Sequence, residues 1–162
     1  MKLTLKRYSF LLCFQFSFLL ADLFFNTFAS FMLREKLPLT TLMFVTQDVF
    51  IICEYLFFTY AVHSTCVYKV GASHIILRNC KFFLFTILTY FLLSASQHFW
   101  IIYNTVWQPT AEWPSTLTAL VFMQRIVSVF YYYTSKRTAL SMSDPRYSED
   151  NIDWIAEQLS DK

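Results

Sequence analysis

Four times along this chain, an apolar run is long enough to cross a lipid bilayer as a helix. A helix needs roughly 20 predominantly apolar residues to do so. The runs cover about 9–33, 37–62, 81–103 and 114–133, allowing a few residues at each end. Nothing else in the sequence narrows the possible folds as much. In hydrocarbon every backbone N–H and C=O must be satisfied internally, which leaves helices or closed barrels. Runs of this length are helical. The composition agrees: 56 % of residues are hydrophobic, 20 % aromatic and 15 % charged, with 19 Phe, one Gly and four Pro in 162 residues. The expected class is therefore all-α, a polytopic membrane protein with a four-transmembrane-helix bundle over residues 1–140.

The N-terminus begins with Lys2, Lys6 and Arg7, as a signal peptide does. The apolar run that follows is too long for a signal core and carries Gln15, Asp22 and Asn26. We read it as a retained first helix. "REKLP" makes a short turn, so the first two helices are adjacent and antiparallel. The second helix is expected to run on toward Val70, with "SHIILRNC" lying along the interface. "NTVWQPTAEWP" is a loop.

Orientation follows from Lys and Arg near the spans. The N-terminal segment has three, the second loop has Lys69, Arg78 and Lys81, and the tail has Lys136, Arg137, Arg146 and Lys162. The third loop has none, so both termini are expected in the cytosol. Trp100, Tyr103, Trp107 and Trp113 then form the outer aromatic belt, and Tyr131, Tyr132 and Tyr133 part of the inner one. Residues 141–162 form an acidic cytosolic tail. Pro145 stops the last helix, and "SEDNIDWIAEQL" starts a short amphipathic C-terminal helix. Its Ile152, Trp154, Ile155 and Leu159 are candidates for contact with a partner protein.

Polar residues inside the spans are the candidate site. Asp22 lies 11 residues from Leu33, Asp48 11 from Leu37, and Arg125 11 from Pro114. At 1.5 Å per residue each sits about 16 Å below the outer boundary. With Asn26, Gln47 and Gln124 alongside, these residues suggest a buried polar cluster in which Arg125 pairs with Asp48 or Asp22. Arginine at a helix centre costs about 2.5–3.5 kcal/mol, and the eight strongest apolar residues of the fourth span offset about 2.4–4.8. That span depends on its neighbours. A proton or ion path through Asp22, Asp48, Glu54 and His98 is the competing reading.

The four cysteines, Cys13, Cys53, Cys66 and Cys80, show no metal or redox spacing, and we read them as unpaired. Cys80, at an expected helix end, is a candidate for palmitoylation. No hydrolase, zincin or P-loop motif occurs, so we expect no enzyme, no cofactor and no small-molecule substrate. The net charge of +2 and the absence of a nucleic-acid motif argue against nucleic acid as a partner.

Several blocks together resemble the transmembrane protein 138 family. Phe14-Gln15-Phe16 and Asp22-Leu23-Phe24 with Asn26 look like its first helix, and Gln47-Asp48 like its second. Val121-Phe122, Gln124-Arg125, Lys136-Arg137-Thr138-Ala139 and Asp144-Pro145 look like its fourth helix and tail. The resemblance implies a four-span, non-enzymatic ciliary membrane protein. It would act in cilium assembly at the transition zone, beside other membrane proteins of the ciliary base, and also on intracellular vesicle or vacuole membranes. The alternative from the residues alone is a small transporter or oligomeric channel using mid-membrane carboxylates.

Overall fold

The helices end where the chain carries its few breakers. A computed structural model describes residues 5–32, 37–65, 68, 71, 73–107 and 114–142. It contains α1 (Leu5–Met32), α2 (Leu37–Ser64), α3 (Ser73–Trp107) and α4 (Ser115–Met142). Pro38 is the second residue of α2, where its missing N–H breaks no helical bond. Pro114 directly precedes α4, and its carbonyl accepts the Leu117 and Thr118 amides at 2.9 and 3.3 Å. At the end of α2 the Thr65 amide donates to the Val62 carbonyl at 3.1 Å. Gly71 then takes φ +82°, and its N–H bonds the Tyr68 carbonyl at 3.0 Å. L-residues avoid this left-handed region.

The chain therefore turns at Gly71, and α2 does not run on to Val70. "SHIILRNC" is the start of α3 and not a separate interfacial segment. Nothing between Ser73 and Trp107 breaks the helix. Its 35 residues span about 52 Å, well beyond the ~30 Å hydrocarbon core. Likewise α4 continues past Tyr133 to Met142. Cys80 is 2 % exposed and packed in the core, so its thiol is closed to palmitoylation in this structure. The acidic tail, with Ile152, Trp154, Ile155 and Leu159, lies outside the described residues, as does Trp113.

Side-chain pairings set the directions. Phe58 meets Phe83 while Phe44 meets His98, so α2 and α3 are antiparallel. Gln15 reaches Ser135 while Asn26 reaches Gln124, so α1 and α4 are antiparallel. Packing joins α1 to α2, α2 to α3 and α3 to α4. A phenylalanine ladder closes the first seam, with Phe18 against Phe50 at 5.3 Å and Phe57 at 5.5 Å. The main core gathers Ile51, Phe58, Phe83, Ile87, Tyr90 and Tyr131, and a smaller one Phe44, Ile101 and Leu117.

The distribution of polarity is inverted relative to a water-soluble bundle. On α4 the buried positions are Leu117, Gln124, Ser128, Tyr131, Ser135 and Thr138, whereas Phe122, Val129 and Phe130 face outward. On α3, Phe82 is 81 % and Phe99 73 % exposed. Exposed hydroxyls turn back on their own helix. Ser17, Thr27, Ser96 and Thr105 donate to the carbonyls of Cys13, Leu23, Leu92 and Ile101 at 2.7–2.9 Å. A hydroxyl that faces hydrocarbon has no other partner. Two helices, Leu37–Ser64 and the Cys80–Trp107 part of α3, are long and apolar enough to cross a membrane, and α1 carries a shorter apolar stretch, Leu12–Phe28.

Gly71 generates a test. A Cβ there meets nothing within 4 Å, so the cost of a side chain is conformational alone. Gly71→Ala should lower stability by about 1–2 kcal/mol, and Gly71→Asn by less. Denaturation in detergent micelles reads both. Equal stability of all three proteins contradicts a required left-handed turn.

Candidate functional site in the bundle interior

The interior polar residues form three separate networks. The central one is built around the Asp22 carboxyl, 1 % exposed. Tyr90 and Tyr132 donate their hydroxyls to Oδ2 at 2.8 and 2.7 Å. Asn26 donates to Oδ2 at 3.2 Å and Gln47 to Oδ1 at 2.8 Å. The Asn26 Oδ1 in turn accepts the amides of Gln47 at 3.2 Å and Gln124 at 3.0 Å. The Tyr90 oxygen accepts from Asn26, Gln47 and Gln124 at 2.6, 3.3 and 3.2 Å. Every helix contributes: Asp22 and Asn26 from α1, Gln47 from α2, Tyr90 from α3, Gln124 and Tyr132 from α4.

The local reason is helical spacing. Asp22 and Asn26 are four residues apart and share a face of α1. Gln47 belongs to the buried row Thr40, Phe44, Gln47, Ile51, Glu54, Phe58 and Val62 of α2, spaced three and four. That row also delivers Glu54 to the second network. There, Ser135 and Tyr131 donate to the Glu54 carboxyl, and Gln15 bridges Glu54 at 3.5 Å and Ser135 at 3.1 Å. The third network holds Asp48. Ser94 donates to it at 3.1 Å, and His98 Nδ1 lies 3.1 Å from its other oxygen. The His98 ring stacks on Phe44 with centroids 4.1 Å apart.

Arg125 does not join these networks. It is half-buried, and among the described residues no carboxylate lies within 4 Å of it. The pairing expected with Asp48 or Asp22 does not form, because both acids are held by other groups. Equal depth was the wrong criterion on its own. Adjacent residues on a helix point about 100° apart. Gln124 faces the centre and turns Arg125 aside, just as Gln47 faces the centre and turns Asp48 toward α3. The structure thus brings together Asp22, Asn26, Gln47 and Gln124, and separates Asp48 and Arg125 from them.

Tyrosines are what reading the sequence missed. Tyr131–Tyr133 looked like one stretch of aromatic belt. Their 100° steps send Tyr131 to Glu54, Tyr132 to Asp22 and only Tyr133 outward, at 61 % exposure. Tyr90 is fully buried and stacks on Tyr131 at 4.6 Å, joining the first two networks by ring contact. A phenol far from either interface needs a buried partner, and that signal was available. Ser94 and Ser135 carried no such signal.

Chemically, the arrangement offers hydroxyl and amide donors to the Asp22 and Glu54 carboxyls. Each interhelical bond in a membrane interior is worth about 0.6 kcal/mol on average, with values to about 1.7. Orphaning a buried donor costs about 1–3 kcal/mol. The networks therefore tie the helices to one another. Among the described residues no hydrogen bond links one network to another.

Two predictions follow from this chemistry. Tyr90→Phe strips one donor from Asp22 and one acceptor from three amides, whereas Tyr132→Phe removes fewer bonds. Tyr90→Phe should cost about 1 kcal/mol more than Tyr132→Phe in micelle unfolding; equal losses contradict the hub. Arg125→Leu and Asp48→Leu should act independently, with a coupling below about 0.5 kcal/mol. A larger favourable coupling restores the ion pair.

A protein-family model described as Transmembrane protein 138 matches residues 40–158. Transmembrane protein 138 of Xenopus tropicalis is 33 % identical over 155 residues, 94 % of this chain and 94 % of that protein. The Danio rerio protein of that name is 31 % identical over 157 residues, 96 % of this chain and 95 % of its own length. That of Mus musculus is 30 % identical over 154 residues, 94 % and 93 %. No solved structure matches. The family match includes Gln47, Tyr90, Gln124 and Tyr132, and the full-length relatives extend the similarity over nearly the whole chain.

Proposed function

The chain belongs to the transmembrane protein 138 family, and from that premise we propose that it is a four-span, non-enzymatic component of the ciliary base. It serves cilium assembly through lateral contacts with other membrane proteins. The ciliary role rests on the family resemblance. Support for the mode of action comes from the side chains. Most interior polar groups are spent on one another, the buried Gln97 and Gln124 Oε1 atoms excepted, and the faces left over are apolar on all four helices: Leu20 and Phe24, Leu42 and Leu56, Phe82 and Phe85, Phe122 and Phe130 are all exposed. This last observation carries the proposal. Such faces meet lipid or another apolar helix.

Four spans are supported by the antiparallel order and by those outward apolar faces. The Lys and Arg count supports cytosolic termini. Three networks without a hydrogen-bonded link among the described residues favour a clamp over a conduction path.

Tagged protein in ciliated cells should concentrate at the base of cilia or on vesicles that feed them. Tags at either terminus should be reachable only after the plasma membrane is permeabilised, and a tag in the α3–α4 loop before it. Uniform plasma-membrane signal with normal cilia after deletion contradicts the role; an exposed terminus contradicts the topology.

A further inference from the structure

Three seams between helices are closed by packing, and the fourth is not. Between α1 and α4 the described hydrogen bonds are side-chain bridges, Gln15 to Ser135, Tyr132 to Asp22, and Asn26 to Gln124 and Tyr132. A groove of about 410 Å³ opens between them, in the size range of small-ligand sites. It extends along α1 from Leu12 to Leu23, 11 residues or about 16 Å. That is half of a ~30 Å hydrocarbon core, the depth of one leaflet. Leu23 neighbours Asp22, the mid-membrane residue, so the groove spans one leaflet from its edge to the midplane.

Its chemistry is graded. Phe16 and Leu20, 61 % and 51 % exposed, form an apolar wall. Near the opposite end are the Gln15–Ser135 pair and exposed Lys136, and among the described lining residues there is no acid. With cytosolic termini, Lys136 lies close beneath the cytosolic headgroups, within reach of them by its flexible stem. A helix of ~10 Å diameter displaces about 1,250 Å³ over this length, three times the groove. A single methylene chain is far thinner.

We propose that the α1–α4 groove holds one acyl chain of an anionic phospholipid of the cytosolic leaflet, with its headgroup on Lys136. Charge complementarity selects the headgroup, since anionic lipids populate that leaflet and basic pockets between helices capture them. The lipid completes the seam that the helices leave open. The proposal rests on the orientation given above, which tag accessibility tests without reference to any lipid.

The test uses the full chain in phosphatidylcholine nanodiscs doped with phosphatidylserine bearing a photoreactive acyl chain, or with phosphatidylcholine bearing the same chain. Phosphatidylserine should label peptides containing Phe16–Leu23 and Tyr132–Leu140 about fivefold more than phosphatidylcholine does. Lys136→Ala should bring the two lipids to parity, and Leu20→Trp should block labelling by both. If Leu20→Trp does not fold, the Lys136→Ala ratio decides. Equal labelling by both lipids in the unaltered protein, labelling spread evenly over all helices, or disulfide-linked dimers through Leu20→Cys, the mark of a second copy in the groove, overturns the proposal.

Discussion

One buried carboxyl organises the helices. Asp22 receives donors from α1, α2, α3 and α4, and Asn26 beside it likewise meets groups from all four. Burying such a group is costly unless it is hydrogen-bonded. Only an arrangement that keeps Asn26, Gln47, Tyr90 and Tyr132 around it meets that condition. The requirement works as a register lock. Sliding α2 by one residue replaces Gln47 with the shorter Thr46 or the acidic Asp48, and rotating α4 by one residue replaces Gln124 with Arg125. In hydrocarbon, apolar packing alone discriminates weakly between such alternatives, because lipid tails are as apolar as Leu. Polar bonds supply the discrimination.

The two peripheral networks extend the same logic along the helices. Glu54 ties α2 to α4 and α1 on one side of the centre, and Asp48 ties α2 to α3 on the other. Phenylalanine fills what remains, sealing α1 to α2 through Phe18, Phe50 and Phe57. One edge, α1–α4, is held by side chains rather than close packing. The bundle is thus firm at its centre and adaptable at one seam.

The apolar runs showed in the sequence where the helices lie, because helical backbone is the only economical state for them. Helix ends were less legible. Gly71 marked a turn, yet nothing in "SHIILRNC" announced that it continues into α3. In the site, Asp22, Asn26, Gln47 and Gln124 were legible as polar residues where polarity is expensive. Azimuth was not. Gln47 with Asp48, and Gln124 with Arg125, are neighbours in sequence and face different ways, so a depth argument could not separate hub from bystander. The tyrosines were hidden by their amphipathic character, since the same residue serves as interface belt and as buried donor.

The central claim is that a neutral hydroxyl and amide shell, not a cation, holds Asp22. A double-mutant cycle in lipid vesicles, Asp22→Ala with Tyr90→Phe set beside Asp22→Ala with Arg125→Leu, measures this directly. The account predicts a coupling of about 1–1.7 kcal/mol for the first pair and a value near zero for the second. A negligible coupling to Tyr90 together with a strong one to Arg125 would contradict it.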